Sequence, residues 1–139
     1  MKKIVMSAFV AMVLVSGVSA NVKQEEERKS IINKALLVNS GAPTIVTDQM
    51  KLFYLSSADN KSLHFQIEFF NTSKEAFDKE FLTREIFEHM LKKEEVRADC
   101  TIKGVREVLD AGVVVAQTFY SNDHYLLGSI KIQKSDCVL

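Results

Sequence analysis

Leu63, Phe65, Ile67 and Phe69 alternate with His64, Gln66 and Glu68, and no other stretch of this chain limits the fold so tightly. A period of two describes a strand with one face in an apolar core and the other in water. Such a strand needs a neighbour along its edge and a cover for its apolar face. Residues 50–57, with Leu52, Phe53, Tyr54 and Leu55, supply the neighbour. Ala58-Asp59-Asn60-Lys61 between them is a turn by composition, so the two strands form an antiparallel hairpin. A second hairpin is expected from residues 113–120 and 125–132, which flank a turn at Ser121-Asn122-Asp123-His124. Its first strand is rich in β-branched and aromatic residues. Its second places Leu126, Gly128, Ile130 and Ile132 on one face.

The cover comes from helical segments. Residues 21–38 begin with a charged run and continue with Ile31, Ile32, Ala35 and Leu36 on one helical face. Asn39-Ser40-Gly41 and then Pro43 stop this helix. Thr72-Ser73-Lys74-Glu75 reads as a capping box with Thr72 as the cap, opening a helix that runs to about Lys93. Leu82, Ile86, Met90 and Leu91 share one side of it, whereas Phe77 and Phe81 lie well round from Leu82 and Ile86. Either the apolar stripe is broad or the helix breaks near Thr83. A short helix over residues 101–110 buries Val105, Val108 and Leu109 and ends at Ala111-Gly112. The expected fold is therefore a two-layer α+β domain in the order α-β-β-α-α-β-β. Its four-stranded antiparallel sheet is built from two hairpins, with the helices on one face.

The amino terminus constrains location. Lys2 and Lys3 precede an apolar run over residues 4–15, interrupted only by Ser7, and Ser16-Gly17-Val18-Ser19-Ala20 follows. This is the three-part pattern of a secretory signal peptide, with cleavage expected after Ala20. The apolar run is roughly 12 residues, where a membrane span needs about 20. Residue 21 is Asn, so the lipid-bearing cysteine of a bacterial lipoprotein is not at that position. The expected mature chain is a single α+β domain over residues 21–139, soluble and periplasmic or secreted. Loss of Lys2 and Lys3 from 18 basic residues leaves 16 against 18 acidic ones, a net charge of −2. That balance argues against nucleic acid as a partner. The 2 cysteines, Cys100 and Cys137, both belong to the mature part, and in an oxidising compartment such a pair closes into a disulfide. A loop of this length stabilises by about 4 kcal/mol on the chain-entropy estimate.

Catalytic patterns are sparse. His64 falls on the polar side of a strand, His89 on a helix and His124 in a turn, none with a second ligand at metal-binding spacing. No Gly-x-Ser-x-Gly elbow or glycine-rich phosphate loop occurs. Glu25-Glu26-Glu27 and Glu94-Glu95 sit in charged runs beside lysines, where exposure is expected and the burial needed for acid–base work is not. No catalytic residue, metal ligand or cofactor is assigned. What stands out is the aromatic content of the strands. Phe69-Phe70, Phe119-Tyr120 and Tyr54 place aromatics on both strand faces, and a core accounts for one face only. Tyr54, Phe70, Tyr120 and His124 are the candidate residues of a surface that binds a partner.

Cys100, Val105-Arg106-Glu107-Val108-Leu109-Asp110-Ala111-Gly112, Phe119-Tyr120-Ser121-Asn122-Asp123 and Cys137, with Pro43 to Asp48 and Leu52 ahead of them, form a pattern. It resembles that of small periplasmic proteins of Gram-negative bacteria, most of them uncharacterised. The resemblance implies a periplasmic α+β protein with a disulfide and brings no catalytic residues. Where such proteins often carry glycine in the final turn, this chain has Asn122-Asp123-His124.

The leading expectation is a non-enzymatic periplasmic binding or accessory protein acting through protein–protein contacts, in envelope assembly, immunity or a chaperone-like role. A pilotin-like secretion accessory fits the size, although lipid anchoring is usual there and the lipobox cysteine is missing. The first alternative is a carrier of a small apolar ligand in a helix–sheet cavity lined by Phe65, Phe69 and Phe119. The second is an enzyme, which would need a pocket joining His64 or His124 to a buried carboxylate.

Overall fold

The computed structural model describes residues 24–38, 44–45, 47–81 and 83–138. The expected signal peptide, the first helix stop and Leu82 lie outside these residues. The first element is helix α1 (Gln24–Val38), whose opening turn carries Glu25, Glu26 and Glu27 against the positive end of the helix dipole. Ile31, Ile32 and Ala35 are its buried residues. A two-residue strand β1 (Thr44–Ile45) pairs with the start of β2 (Met50–Ser56). β2 forms an antiparallel hairpin with β3 (Ser62–Phe69). The turn is closed by Asp59, whose Oδ1 accepts from the Lys61 and Ser62 backbone N–H groups at 2.9 and 3.0 Å.

The long helix expected after β3 is two helices. α2 (Lys74–Glu80) is capped by Ser73, whose hydroxyl accepts from Ala76 N at 3.1 Å. The cap is therefore one residue later than the expected Thr72. Phe81 is extended, and α3 (Arg84–Asp99) starts afresh with the Thr83 hydroxyl accepting from Ile86 N at 3.2 Å. The break resets the helical phase. Phe77, Phe81 and Phe87 thereby meet, with ring centroids 4.8 to 5.1 Å apart. The buried face of α3 is Phe87, Leu91, Glu95 and Asp99, while Ile86 and Met90, expected inward, are 42% and 53% exposed. α4 (Lys103–Asp110) buries Val105, Val108 and Leu109 and stops at Gly112, whose φ of +91° suits glycine.

β4 (Val114–Ser121) and β5 (Leu126–Ile132) complete the sheet as the second antiparallel hairpin. The sheet order is β1-β2-β3-β4-β5, and β3 and β4 run parallel. The two hairpins and their order along the chain are as expected. Their junction is not antiparallel, because α2, α3 and α4 carry the chain back across the sheet before β4 begins. The sheet is thus mixed, with β1 as a short fifth strand. A register shift opposite Phe119–Tyr120 turns Leu127 inward and leaves Leu126 partly exposed. Gly128 lets α3 approach β5 closely, since a Cβ there would lie 2.9 Å from Glu88 Cγ.

One core joins the layers. Leu63, Phe65, Ile67 and Phe69 of β3 pack with Leu52, Val115 and Phe119 beneath the helices. Cys100, just past α3, is bonded to Cys137, the last residue of a 3₁₀ turn (Lys134–Cys137), with a Cα–Cα distance of 5.5 Å. The bond ties the helical layer to the segment after β5.

Candidate functional site

The alternation that buries Leu63, Phe65, Ile67 and Phe69 sends His64, Gln66 and Glu68 to the opposite face of the sheet. Register extends each into a row across the strands. Lys51, Glu68, Tyr120 and Leu126 form one row, and Tyr54, Gln66, Thr118 and Ser129 the next. The partly buried apolar side chains packed on the core are Leu36, Leu55, Phe81, Val96 and Ile102, none of them from these rows. Among the described residues, the helices lie on the inner face and the outer face carries no helix.

The Glu68 end of this outer face is built from matched pairs. Phe53 and Tyr120 meet edge to face at 5.6 Å. Lys51 Nζ lies 3.7 Å from Glu68 Oε2, and His124 Nδ1 lies 3.9 Å from Glu68 Oε1, an ion pair only when the imidazole is protonated. The Glu68 side chain is 14% exposed. Further along, His64 Nε2 and Thr118 Oγ1 share a 2.7 Å hydrogen bond. Exposed Tyr54, Tyr125, Leu126 and Ile45 extend the apolar surface around this centre.

The turn beside it is held firmly. Tyr125 N donates to Ser121 Oγ at 3.0 Å, and Lys74 N, at the start of α2, donates to Asp123 Oδ1 at 3.0 Å. Hydrogen bonds from the Ser121 hydroxyl and the Lys74 N–H hold the Asp123 carboxyl below its ordinary value. His124 has a φ of +69°, a left-handed conformation that favours glycine.

Of the four candidate residues, Tyr54 and Tyr120 stand on the outer face, and His124 reaches back to Glu68 there. Phe70 sits at the end of β3, half-buried, its carbonyl accepting from Asn122 Nδ2 at 3.3 Å. Sequence reasoning missed Phe53, because a register shift between Leu52 and Tyr54 decides its side of the strand. The Lys51–Glu68 pair became visible only with the strand register.

A second cluster lies on the other side of the sheet. Glu95, expected to be solvated, is 1% exposed, and Asp99 one turn later is 0% exposed. Both come with Gln117 of β4, also buried. Glu95 Oε2, both Asp99 oxygens and both polar atoms of the Gln117 amide lack a well-formed hydrogen bond. Burial, then the Asp99 charge, pushes the Glu95 carboxyl up to about 10, and burial pushes Asp99 up to about 7. His64 shares its hydrogen bond with Thr118, the outward neighbour of inward Gln117, so the sheet stands between it and these carboxylates. The carboxylate that His124 reaches is Glu68, on the outer face.

No family model matches the sequence, and no curated protein matches it. Solved structures do match in three dimensions. The pilotin EpsS of the Vibrio vulnificus type 2 secretion system superposes with a TM-score of 0.60 at 16% identity, covering 84% of this chain and 96% of that one. The chain is similar in fold to this pilotin. The type II secretion pilotin AspS of Vibrio cholerae gives 0.57 at 15% identity, covering 82% and 95%. A Pseudomonas aeruginosa protein described as secreted gives 0.59 at 12%, covering 88% and 100%. At these identities the likeness is one of fold. No helix among the described residues is long and apolar enough to cross a membrane.

Proposed function

We propose that the mature chain is a periplasmic accessory protein that works by binding another protein, and that its partner docks on the helix-free outer face of the sheet. The observation that carries this reading is the Phe53–Tyr120 pair and exposed Tyr54 on a face that the helices leave uncovered. Apolar side chains ringed by paired charges are the composition of a protein-binding patch. Within the accessory class, the fold likeness to EpsS and AspS favours a pilotin-type role in assembling a secretion machine over an immunity or chaperone-like role.

The carrier reading fares less well, because the residues expected to line a cavity are packed on one another. Phe65 is fully buried, and Phe69 and Phe119 stack at 5.7 Å. The test is affinity capture from periplasmic extract with the native chain, a Tyr54→Asp variant and a Met90→Asp control. The expected result is one dominant protein retained by the native chain and by Met90→Asp and lost by Tyr54→Asp. Retention by Tyr54→Asp overturns the docking face. A copurifying lipid or metabolite with no protein overturns the accessory reading.

A further inference from the structure

Two carboxylic acids one helical turn apart, closed off from water and turned towards an amide, make an unusual core. Among the described residues, no cation acts on either carboxyl, and Lys93 and Arg97 of α3 are exposed. On α3, Glu94 adds like charge to Glu95, Glu88 accepts from Ser129 N, and Lys92 turns to Asp136 at 3.6 Å. On α4, Arg106 is taken by Asp110 at 3.0 Å and by the Cys100 carbonyl, Lys103 is exposed and Glu107 is acidic. β4 has no charged residue, and Lys131 of β5 and Lys134 of the terminal turn are exposed. Arg28 of α1 lies against Gly112. Buried carboxylates without a cation remain folded by keeping protons, since ionising both in a dry site costs several kcal/mol.

We propose that Glu95 and Asp99 form a proton-held latch, which is fully closed while both carboxyls are protonated and loosens the last turn of α3 from β4 progressively as the pair gives up protons. The position gives the latch consequence. Cys100 follows Asp99 directly and carries the disulfide to the chain's final turn, so loosening here acts on both ends of that clamp. The acid form can satisfy itself, one carboxyl donating to the other while the Gln117 amide donates to the pair.

The direction follows from linkage. Both carboxyls bind protons more tightly folded than unfolded, so their contribution is complete below about pH 4 and is lost as pH rises through the folded values. Asp59 and Asp123, whose values are lowered, act in the opposite sense and at lower pH. A window from pH 5 to 9 therefore isolates the latch.

The experiment is denaturant unfolding of the disulfide-intact mature chain across that window, with hydrogen exchange corrected for its chemical rate. The native chain should lose at least roughly hundredfold in its folding constant between pH 5 and 9, with protection falling first in residues 95–100. Glu95→Gln should flatten the dependence and be at least roughly tenfold more stable than the native chain at pH 9. Glu94→Gln should keep the native slope. A flat native profile, or a Glu95→Gln slope equal to the native one, overturns the proposal. Should the variant fail to fold, carbon-13 titration of the native side-chain carboxyls decides: one carboxyl titrating above pH 6 supports the latch, and all titrating below pH 5 overturn it.

Discussion

Glu68 and Glu95 are the same residue on opposite sides of one sheet, and their surroundings differ in nearly every respect. Glu68 belongs to the outer face, keeps 14% of its side chain in solvent and has Lys51 and His124 within 4 Å. Glu95 belongs to the helix-covered side, is 1% exposed and faces another acid. The outer face spends its polar groups in pairs that neutralise one another and leave aromatic surface between them. The inner side encloses a pair that can be neutral only by holding protons. A sheet with helices on one face thus has two different sides: the covered side holds the domain together, and the open side is where the partner is proposed to dock.

The largest effect expected from this contrast is energetic. Phe119→Ala, in the ring cluster under α3, should cost about 3–5 kcal/mol in chemical denaturation. Tyr54→Ala, opposite it in role, should fall within about 0.5 kcal/mol of the native chain. Comparable losses at the two positions would mean that the outer face is structural as well. A smaller effect than that of Phe119→Ala concerns the turn. His124→Gly should stabilise by up to about 1 kcal/mol by relieving the left-handed backbone, measured as a shift in denaturation midpoint. Stabilisation with weakened partner capture would indicate that histidine is kept there for the surface. Destabilisation would show that its contact with Glu68 outweighs the backbone strain.

Much of the covered layer was legible in the sequence. Strict alternation in β3 assigned its faces, Asp59 and Asn60 marked the first turn, and Ala111-Gly112 marked the end of α4. These are local signals, written in adjacent residues. What escaped was set by residues far apart. Parallel pairing of β3 with β4 depends on where three helices return the chain, and the side on which Phe53 emerges depends on a register shift. Glu95 was misplaced because the run Lys92-Lys93-Glu94-Glu95 reads as solvated. A better signal was present: Phe87, Leu91, Glu95 and Asp99 recur in steps of four and continue one helical stripe. That stripe could be seen only once the helix was known to restart at Thr83, the point that the mismatch of Phe77 and Phe81 with Ile86 had left open.

The docking claim has a direct test, because Tyr54 on the outer face and Met90 on α3 are equally exposed, at 53% each. A photo-crosslinking amino acid placed at either position in cells samples the two sides of the domain with the same solvent access. One discrete cross-linked envelope protein is expected from position 54 and none from position 90. The same product from position 90 alone would contradict the docking claim and move the partner to the helical layer.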